Sequence, residues 1–403
     1  MGVVNGPDYE IPTLDLNFAK NKSLVDSISG RNLITFTRAQ SGYRSTYVDS
    51  NGIMRYANAD EPRFDHNPTT NQSLGLLVEE SRTNQNTNSI GSNLLASPPK
   101  LFQDLGFGTF TMPAGTNYAL WGFGGGYGNT WSVTFYLYKI AGNDVVSFSV
   151  VGSQYSGLSS ASTTVDGITL TSTSELGGPV SASITNLGNN LYKLNAITKV
   201  NSIGALPSVN LSALGTFTGT EKCYVSHIQA EIGSFPTSYI PTSGTTVTRT
   251  ADNASITGTN FSSWYNQSQG TAFIGGRTKQ NTNSNAGWAS FFQTSSYTTN
   301  RISIRVNNTD VTSNSIQVAG FAQASPGFDS PANIALAYRE NDFALDASYQ
   351  TLQTDTSGSV PSFIDRLEIG NIESANIWIN GTISRLTYYP KRLPNNQLQY
   401  LTR

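Results

Sequence analysis

Cysteine is nearly absent from this chain. Cys223 stands alone, which excludes internal disulfides and any cysteine cage for a metal. Its place at the start of an alternating run suits a small core residue, and a chain without disulfides fits synthesis in a reducing cytoplasm. Histidine is as scarce, with only His66 and His227. Neither has a partner motif, and His227 falls on the polar phase of its run, so a surface imidazole is expected there. Charged residues make up 12% of the sequence against about 25% in an ordinary domain, and the net charge is −2. That balance leaves no electrostatic footprint for nucleic acid. No run comes near the ~18 apolar residues of a membrane span, so no membrane insertion is expected. The opening residues MGVVNGPDYE lack a basic stretch followed by an apolar one, so no signal peptide is expected. Gly6 also stands where a myristoylation signal requires Ser or Thr.

Low charge with few aromatics would suggest disorder, but 11% of the residues are aromatic. Short apolar runs broken by Gly, Pro and Asn-Gly predict an all-β chain, and 403 residues predict two to three domains. Residues 229–257, QAEIGSFPTSYIPTSGTTVTRTADNASIT, read as a hinge between two β-domains. An alternating run ends at Gly233, Pro236 and Pro241 cannot sit in a central strand, and a second alternating run begins at Val247. Asn51-Gly52 predicts a hairpin with a type I′ turn joining Ser45–Val48 to the strand that begins at Ile53. The predicted architecture is two jelly-roll-type β-sandwiches in tandem, preceded by a β-rich adaptor. The adaptor covers 1–90, the first sandwich 91–240, a linker 241–257 and the second sandwich 258–403. Runs such as WSVTFYLY from Trp131, VVSFSVV from Val145 and LYKLN from Leu191 are the first sandwich's strands. In the second, Asn380-Gly381 is read as a hairpin turn, and a short helix over Pro394–Leu401 follows the last strand.

Several stretches carry a resemblance. They are Ile34-Thr-Phe-Thr-Arg38, Tyr47-Val-Asp-Ser-Asn-Gly-Ile53, Glu61-Pro-Arg63-Phe-Asp65 and Gly75-Leu-Leu-Val-Glu79-Glu80-Ser-Arg82-Thr-Asn84, followed by residues 229–257 and the segment 363–400. Taken in order, they resemble bacteriophage virion appendage proteins of the tail-fibre or head-decoration type. In that family a carbohydrate-binding-module-like sandwich precedes a laminin-G or concanavalin-A-like one. The resemblance implies a non-enzymatic virion structural protein, a tail-fibre or tail-tip component that contacts host surface glycans. A capsid decoration or head-fibre role is the alternative, and a polysaccharide depolymerase a weaker one. It further implies a chain made in the host cytoplasm and located in the virion, anchored to other virion proteins through residues 1–90. A homo-oligomer, a trimer in many such appendages, is implied as well. Family sandwiches commonly hold a calcium ion through loop carboxylates and carbonyls, but no ligands are assignable here, and no other cofactor is expected.

Catalytic patterns are missing. Glycoside hydrolysis needs two carboxylates flanking one bond, and no E-x-D-x-E strand pattern exists; Glu340-Asn-Asp342 and Asp365-Arg-Leu-Glu368 do not match. Nucleophile-elbow, zinc-protease, EF-hand and phosphate-loop motifs are absent too. The charged residues Arg38, Glu61, Arg63, Asp65, Glu79, Glu80 and Arg82 are read as a structural ion network, since bidentate arginine–carboxylate pairs suit loop corners. The alternative is a cation or catalytic site built from Glu61, Asp65, Glu79 and Glu80. For glycan stacking the densest aromatic cluster is Tyr118, Trp121, Phe123, Tyr127 and Trp131, in a glycine-rich loop with Asn117 and Asn129 interleaved. Core packing is the competing reading for Trp121 and Trp131. Trp264, Tyr265, Trp288, Tyr297 and Trp378 are weaker candidates in the second sandwich.

Overall fold

The computed structural model describes residues 10–39, 45–90, 94–108, 115–124, 128–141, 146–152, 158–200, 208–217, 222–278, 288–293, 301–306, 314–318, 321–325, 332–348, 351–372 and 376–403. The chain is all-β, as the alternation predicts, with short helices at Phe18–Asn21, Gly258–Ser262 and Asn395–Thr402 among the described residues.

The first sandwich packs a five-stranded sheet on a four-stranded one. The five-stranded sheet runs Leu158–Val165, Ile168–Glu175, Val146–Val151, Ser208–Phe217 and Gly115–Gly124. The four-stranded sheet runs Ser181–Asn186, Leu191–Lys199, Thr130–Ala141 and Lys222–Ile232. Neighbours are antiparallel except Val146–Val151 and Ile168–Glu175, which pair in parallel; Leu158–Val165, between them in sequence, returns antiparallel on the outer side of Ile168–Glu175. Along Ile168–Glu175 buried and half-buried residues alternate strictly, the period of a strand with one face on a core. Trp131, Val133, Phe135 and Leu137, with Leu194 of the same sheet, face Phe148, Val150 and Leu170 across the interior.

Residues 131–137 are buried without a break, so the opposite face of the four-stranded sheet is covered as well. Phe102, Leu105 and Phe107, together with Met54 and Tyr239, pack there against Tyr136 and Leu191.

The second sandwich corrects the predicted division. One sheet is ordered Gln353–Asp355, Asp342–Ala347, Ala332–Arg339, Gln269–Thr278, Gly381–Tyr389, Ser73–Val78 and Arg63–His66, with Leu14–Leu16 also paired to Gly381–Tyr389. The facing sheet is Thr35–Thr37, Asn253–Thr257, Arg366–Ile369, Trp288–Gln293, Arg301–Val306, Asn314–Val318 and Phe321–Ser325. Residues before position 90 therefore supply strands to both sheets, and Leu14, Leu16, Phe18, Phe36, Leu76 and Val78 sit in the shared core. They are not an adaptor that precedes the sandwich but part of it. The physical reason is apolar: the short strands Leu14–Leu16 and Ser73–Val78 bury leucines that no local partner could cover. The helix Asn395–Thr402 places Leu398, with Leu393, on Phe273, Ala335 and Ala344, covering that sheet's outer face.

Two turns differ from expectation. Gly52 has φ of 75°, Asn51 does not share the left-handed region, and the Gly52 amide donates to the Asp49 carbonyl at 3.0 Å. This is a type I turn closed by a left-handed glycine, not type I′. Gly52→Ala would force a side chain into the left-handed region and toward the Pro68 carbonyl, 3.0 Å from the added carbon. We expect a loss of about 1–2 kcal/mol in urea unfolding; an unchanged midpoint would refute the turn assignment. Asn380-Gly381 is the other. The strand before it, Ile377–Trp378, pairs with Asn371–Ile372 and not with Gly381–Tyr389, so the dipeptide connects two sheets.

Candidate functional site

The expected ion network exists, with a changed membership. At its centre Arg63 donates from Nη2 to Glu79 at 2.9 Å and to Asp252 at 2.6 Å, and from Nη1 to the Thr46 carbonyl at 3.0 Å and Ser238 Oγ at 2.6 Å. Arg38 donates to Asp252 at 2.8 Å and to the carbonyls of Asn58 and Glu61 at 2.6 and 2.7 Å. Arg249 lies 3.6 Å from Glu79 and 3.9 Å from Asp252 and donates to the Glu80 carbonyl at 2.7 Å. All three guanidiniums are fully buried. Arginine suits this place because its planar fork serves several acceptors at once, which an ammonium cannot do in a fixed geometry.

Burial alone would lower the Arg63 pKa, but Asp252 and Glu79 outweigh it and hold the group above its ordinary value. For Arg38 and Arg249 burial wins, and both are pushed down. Arg249 also feels Glu231, so three cations face three carboxylates.

The expected members divide. Arg38, Arg63 and Glu79 belong to the cluster. Asp65 instead accepts the Val48 amide at 2.7 Å and holds the hairpin. Glu61 takes part in the cluster through its backbone carbonyl, while its carboxylate binds the Asn58 amide at 2.8 Å. Glu80 pairs with Arg82 at 2.5 Å and accepts from Asn380 at 3.0 Å, tying the cluster's edge to the second sandwich. Arg82 stacks over Phe235 at 4.7 Å and donates to the Ile232 carbonyl. Gly233, where that strand ends, has φ of 147°, which disfavours any side chain, and an added carbon there would also displace the Arg82 guanidinium. The four carboxylates proposed as an alternative cation or catalytic site thus have separate partners and do not converge. No group of three or more His, Cys, Asp or Glu side chains among the described residues is placed to hold a metal ion, calcium included.

Arg249, Asp252 and Ser238 were missed. All lie in the segment read as a hinge, which is a buried strap instead. Tyr239 and Ile240 are buried, Gln229 accepts the Ile240 amide at 2.5 Å, and Asn84 donates to the Ile240 carbonyl at 2.9 Å. Thr46 Oγ1 donates to the Tyr239 carbonyl at 2.7 Å. The available signal was a lone Arg and a lone Asp in an otherwise nearly uncharged stretch.

Thr46 and Ser238, both bonded to Arg63, also line a cavity of about 200 Å³ between the hairpin, the strap and the four-stranded sheet. Both histidines border it. His66 Nδ1 lies 3.0 Å from the Val48 carbonyl, which only a ring N–H can serve, so Nδ1 carries a proton. His66 Nε2 and both ring nitrogens of His227 have no hydrogen-bond partner among the described residues.

His227 is fully buried, contrary to the surface position expected for it. A bulge puts His227 and Ile228 opposite the single residue between Thr134 and Tyr136, and His227 takes φ of 51°. The alternation is broken there and the imidazole turns to the covered face. It stacks on Phe102 with ring centroids 3.8 Å apart and meets Tyr239 edge-on at 4.8 Å. Burial pushes its pKa down to about 3, so the ring is neutral.

Of the aromatic cluster read from the sequence, Trp131 is wholly buried in the first core and is corrected from ligand candidate to core residue. Tyr118, Trp121 and Phe123 lie on a strand, Gly115–Gly124, rather than in a loop; it is the edge of the five-stranded sheet. Their side chains, Tyr127 and the Cys223 side chain lie outside the described residues. In the second sandwich Trp264 and Trp378 are buried and Tyr265 packs against the core, while Tyr297 and the Trp288 side chain lie outside the described residues.

Fold and junction define the class: an all-β protein of two sandwiches interlocked by a buried ion cluster. No protein-family model matches the chain, and no curated protein matches it. Among solved structures it is similar to the CBM40 module of Ruminococcus gnavus IT-sialidase bound to alpha2,3 sialyllactose, at 16% identity and a TM-score of 0.30, over 36% of this chain and 86% of that one. The NanB sialidase from Streptococcus pneumoniae is similar at 11% identity and a TM-score of 0.30, over 37% of this chain and 26% of that one. Domains LG4-5 of the mouse laminin alpha1 chain are similar at 8% identity and a TM-score of 0.21, over 75% of this chain and 90% of that one. These are likenesses of fold alone.

Proposed function

We propose that this chain is a non-enzymatic phage virion structural protein, a tail-fibre or tail-tip component that contacts host surface glycans through its first sandwich. One observation carries the reading. The stretches that resemble phage appendage proteins, around 34–84 and 229–257, supply every side chain of the buried cluster: Arg38, Arg63, Glu79, Ser238, Arg249 and Asp252. The shared wording therefore marks one junction, and with it one way of locking two sandwiches together. Glycan contact is assigned to the edge strand Gly115–Gly124 and the residues after it, where Tyr118, Trp121, Phe123 and Tyr127 are concentrated.

Trp121→Ala and Tyr127→Ala are expected to slow adsorption of particles to host cells with little change in thermal unfolding. One stacked ring contributes about 0.5–1.5 kcal/mol beyond its buried area, and repeated copies multiply the effect. Adsorption unchanged in both variants, or a large fall in melting temperature, would end the assignment. A low-resolution map of the particle decides the location: density for this chain on the head rather than the tail would overturn the tail-fibre role. Anchoring through residues 1–90 has to be tested by surface substitutions, because deletion would remove strands from the second sandwich.

A further inference from the structure

We propose that residues 94–108 form a flap that acid lifts from the four-stranded sheet, with His227 beneath it as the proton-sensing group. A site this deep is ordinarily apolar. His227 is instead sealed among the rings of Phe102, Phe107, Tyr136 and Tyr239, with no hydrogen-bond partner at either ring nitrogen among the described residues. The bulge that carries it holds φ at 51°, a backbone conformation that persists only where packing enforces it. A neutral imidazole is tolerated there. A protonated one would be an unpaired buried cation, with two N–H donors and nothing to accept from them. Cation–π attraction to Phe102, stacked 3.8 Å away, offsets only part of that cost.

Of the walls around the ring, the flap is the least anchored. Tyr136 sits in a strand paired on both sides, to Lys193 and to Ser226. Tyr239 is tied at its hydroxyl to Ser89 and at its carbonyl to Thr46. The flap bonds chiefly to itself. Its ends meet at the Leu94–Gly108 bridge, the Leu95 amide donates to the Phe107 carbonyl, and the Gly106 amide donates to the Phe102 carbonyl. That is the plan of an Ω-loop. Among the described residues its polar ties to the rest of the chain are the Gly108 amide on Ser226 Oγ at 2.9 Å and a half-exposed Asp104–Arg55 pair. Its main hold is the apolar contact of Leu101, Phe102, Leu105 and Phe107, and Phe102 lies against the ring that would become charged. Away from the sheet, one 3₁₀ turn and one bridge cannot hold their shape.

Titratable groups stand on every wall. The flap carries Lys100 and Asp104, the strand and the strap present Tyr136 and Tyr239, and His227's own strand carries Glu231. Tyr47, Asp65, His66 and Lys193 lie around the adjoining cavity. None of them shifts the imidazole; burial alone lowers it, to about 3. Once the flap lifts, the ring meets water and titrates near its ordinary value of about 6.5. Between those values the open form binds a proton that the closed form refuses. The closed form is therefore complete above about pH 6.5, and each unit of acid below that favours opening about tenfold. Lifting uncovers Tyr136, Leu191 and His227, an apolar patch beside the junction cavity that neutral pH keeps sealed.

Amide hydrogen exchange of the full chain, read by mass spectrometry from about pH 7.5 to 4.5 and corrected for the intrinsic rate at each pH, tests this. Protection of peptides within 94–108 should fall roughly a hundredfold across that range. At every pH it should stay below that of the strand Ile168–Glu175, which opens only with the whole sandwich. His227→Asn keeps a residue type that tolerates the left-handed backbone and removes the titrating group, so flap protection should then change by no more than about threefold. His66→Gln and Asp104→Asn should each retain the hundredfold fall. Flap protection independent of pH in the wild type overturns the proposal. So does equal protection of flap and strand throughout, which would mean that they open together, and so does a fall that survives in His227→Asn. Should His227→Asn not fold, the other two variants decide: loss of the fall in either would give the proton to His66 or Asp104 and not to His227.

Discussion

Asp252→Asn is expected to destabilise the chain by about 3–5 kcal/mol, although the two side chains are nearly the same size. Asp252 is fully buried, accepts from Arg38 and Arg63, and takes the Glu79 amide at 2.9 Å. Removing its charge leaves three buried guanidiniums with too few anions, and an uncompensated buried charge is far more costly than the pair is stabilising. Urea unfolding at neutral pH measures the loss. Adding Arg38→Met removes one stranded cation and should recover part of it, a coupling of about 0.5–3 kcal/mol between the two sites. A single variant within about 0.5 kcal/mol of wild type would mean that water reaches these groups and that the cluster is not buried.

Acid should unfold the protein earlier than its carboxylates alone would require. An unfolded histidine titrates near 6.5, whereas burial holds His227 at about 3. Between those values the unfolded chain binds a proton that the folded chain refuses, so stability rises with pH across that window. The contribution is complete above pH 6.5 and is lost as pH falls toward 3, at up to roughly 1.4 kcal/mol per pH unit and about 4–5 kcal/mol in all. Unfolding midpoints taken from pH 7 down to 4.5 should show this slope, and His227→Asn should flatten it. Equal slopes in the two proteins would show that the imidazole titrates freely in the folded state.

Much of the fold could be read from residue types. Ile168–Glu175 alternates as its composition demands, and Trp131 to Tyr138 is the strand that its β-branched and aromatic residues favour. The closing helix was likewise legible from its position after Pro394. What escaped was long-range. Nothing local to Leu14–Leu16 tells it to pair with residues 386–388, because that partner is chosen by a core assembled from both ends of the chain. His227 escaped for a different reason: one extra residue in a strand reverses every side-chain direction after it, and periodicity cannot register an insertion until the partner strand is known. Half of the ion cluster was visible as motif charges. Arg249 and Asp252 were not, since each looks like an ordinary surface residue until the strap is folded under the sheet.

The strand Gly381–Tyr389 is flanked on one side by Gln269–Thr278 and on the other by Ser73–Val78 and Leu14–Leu16 in succession. In biosynthetic terms the first sandwich is an insertion inside the second. Its own strands, between residues 115 and 232, are all available early and can close while translation continues. Leu14–Leu16 and Ser73–Val78 leave the ribosome first and must wait for almost the last residues made. At roughly 5–20 residues per second the wait lasts on the order of tens of seconds, with apolar strand edges open to other chains. The same arrangement ties the inserted sandwich to its host by two crossings of the chain instead of one, which resists twisting between them as a single linker could not.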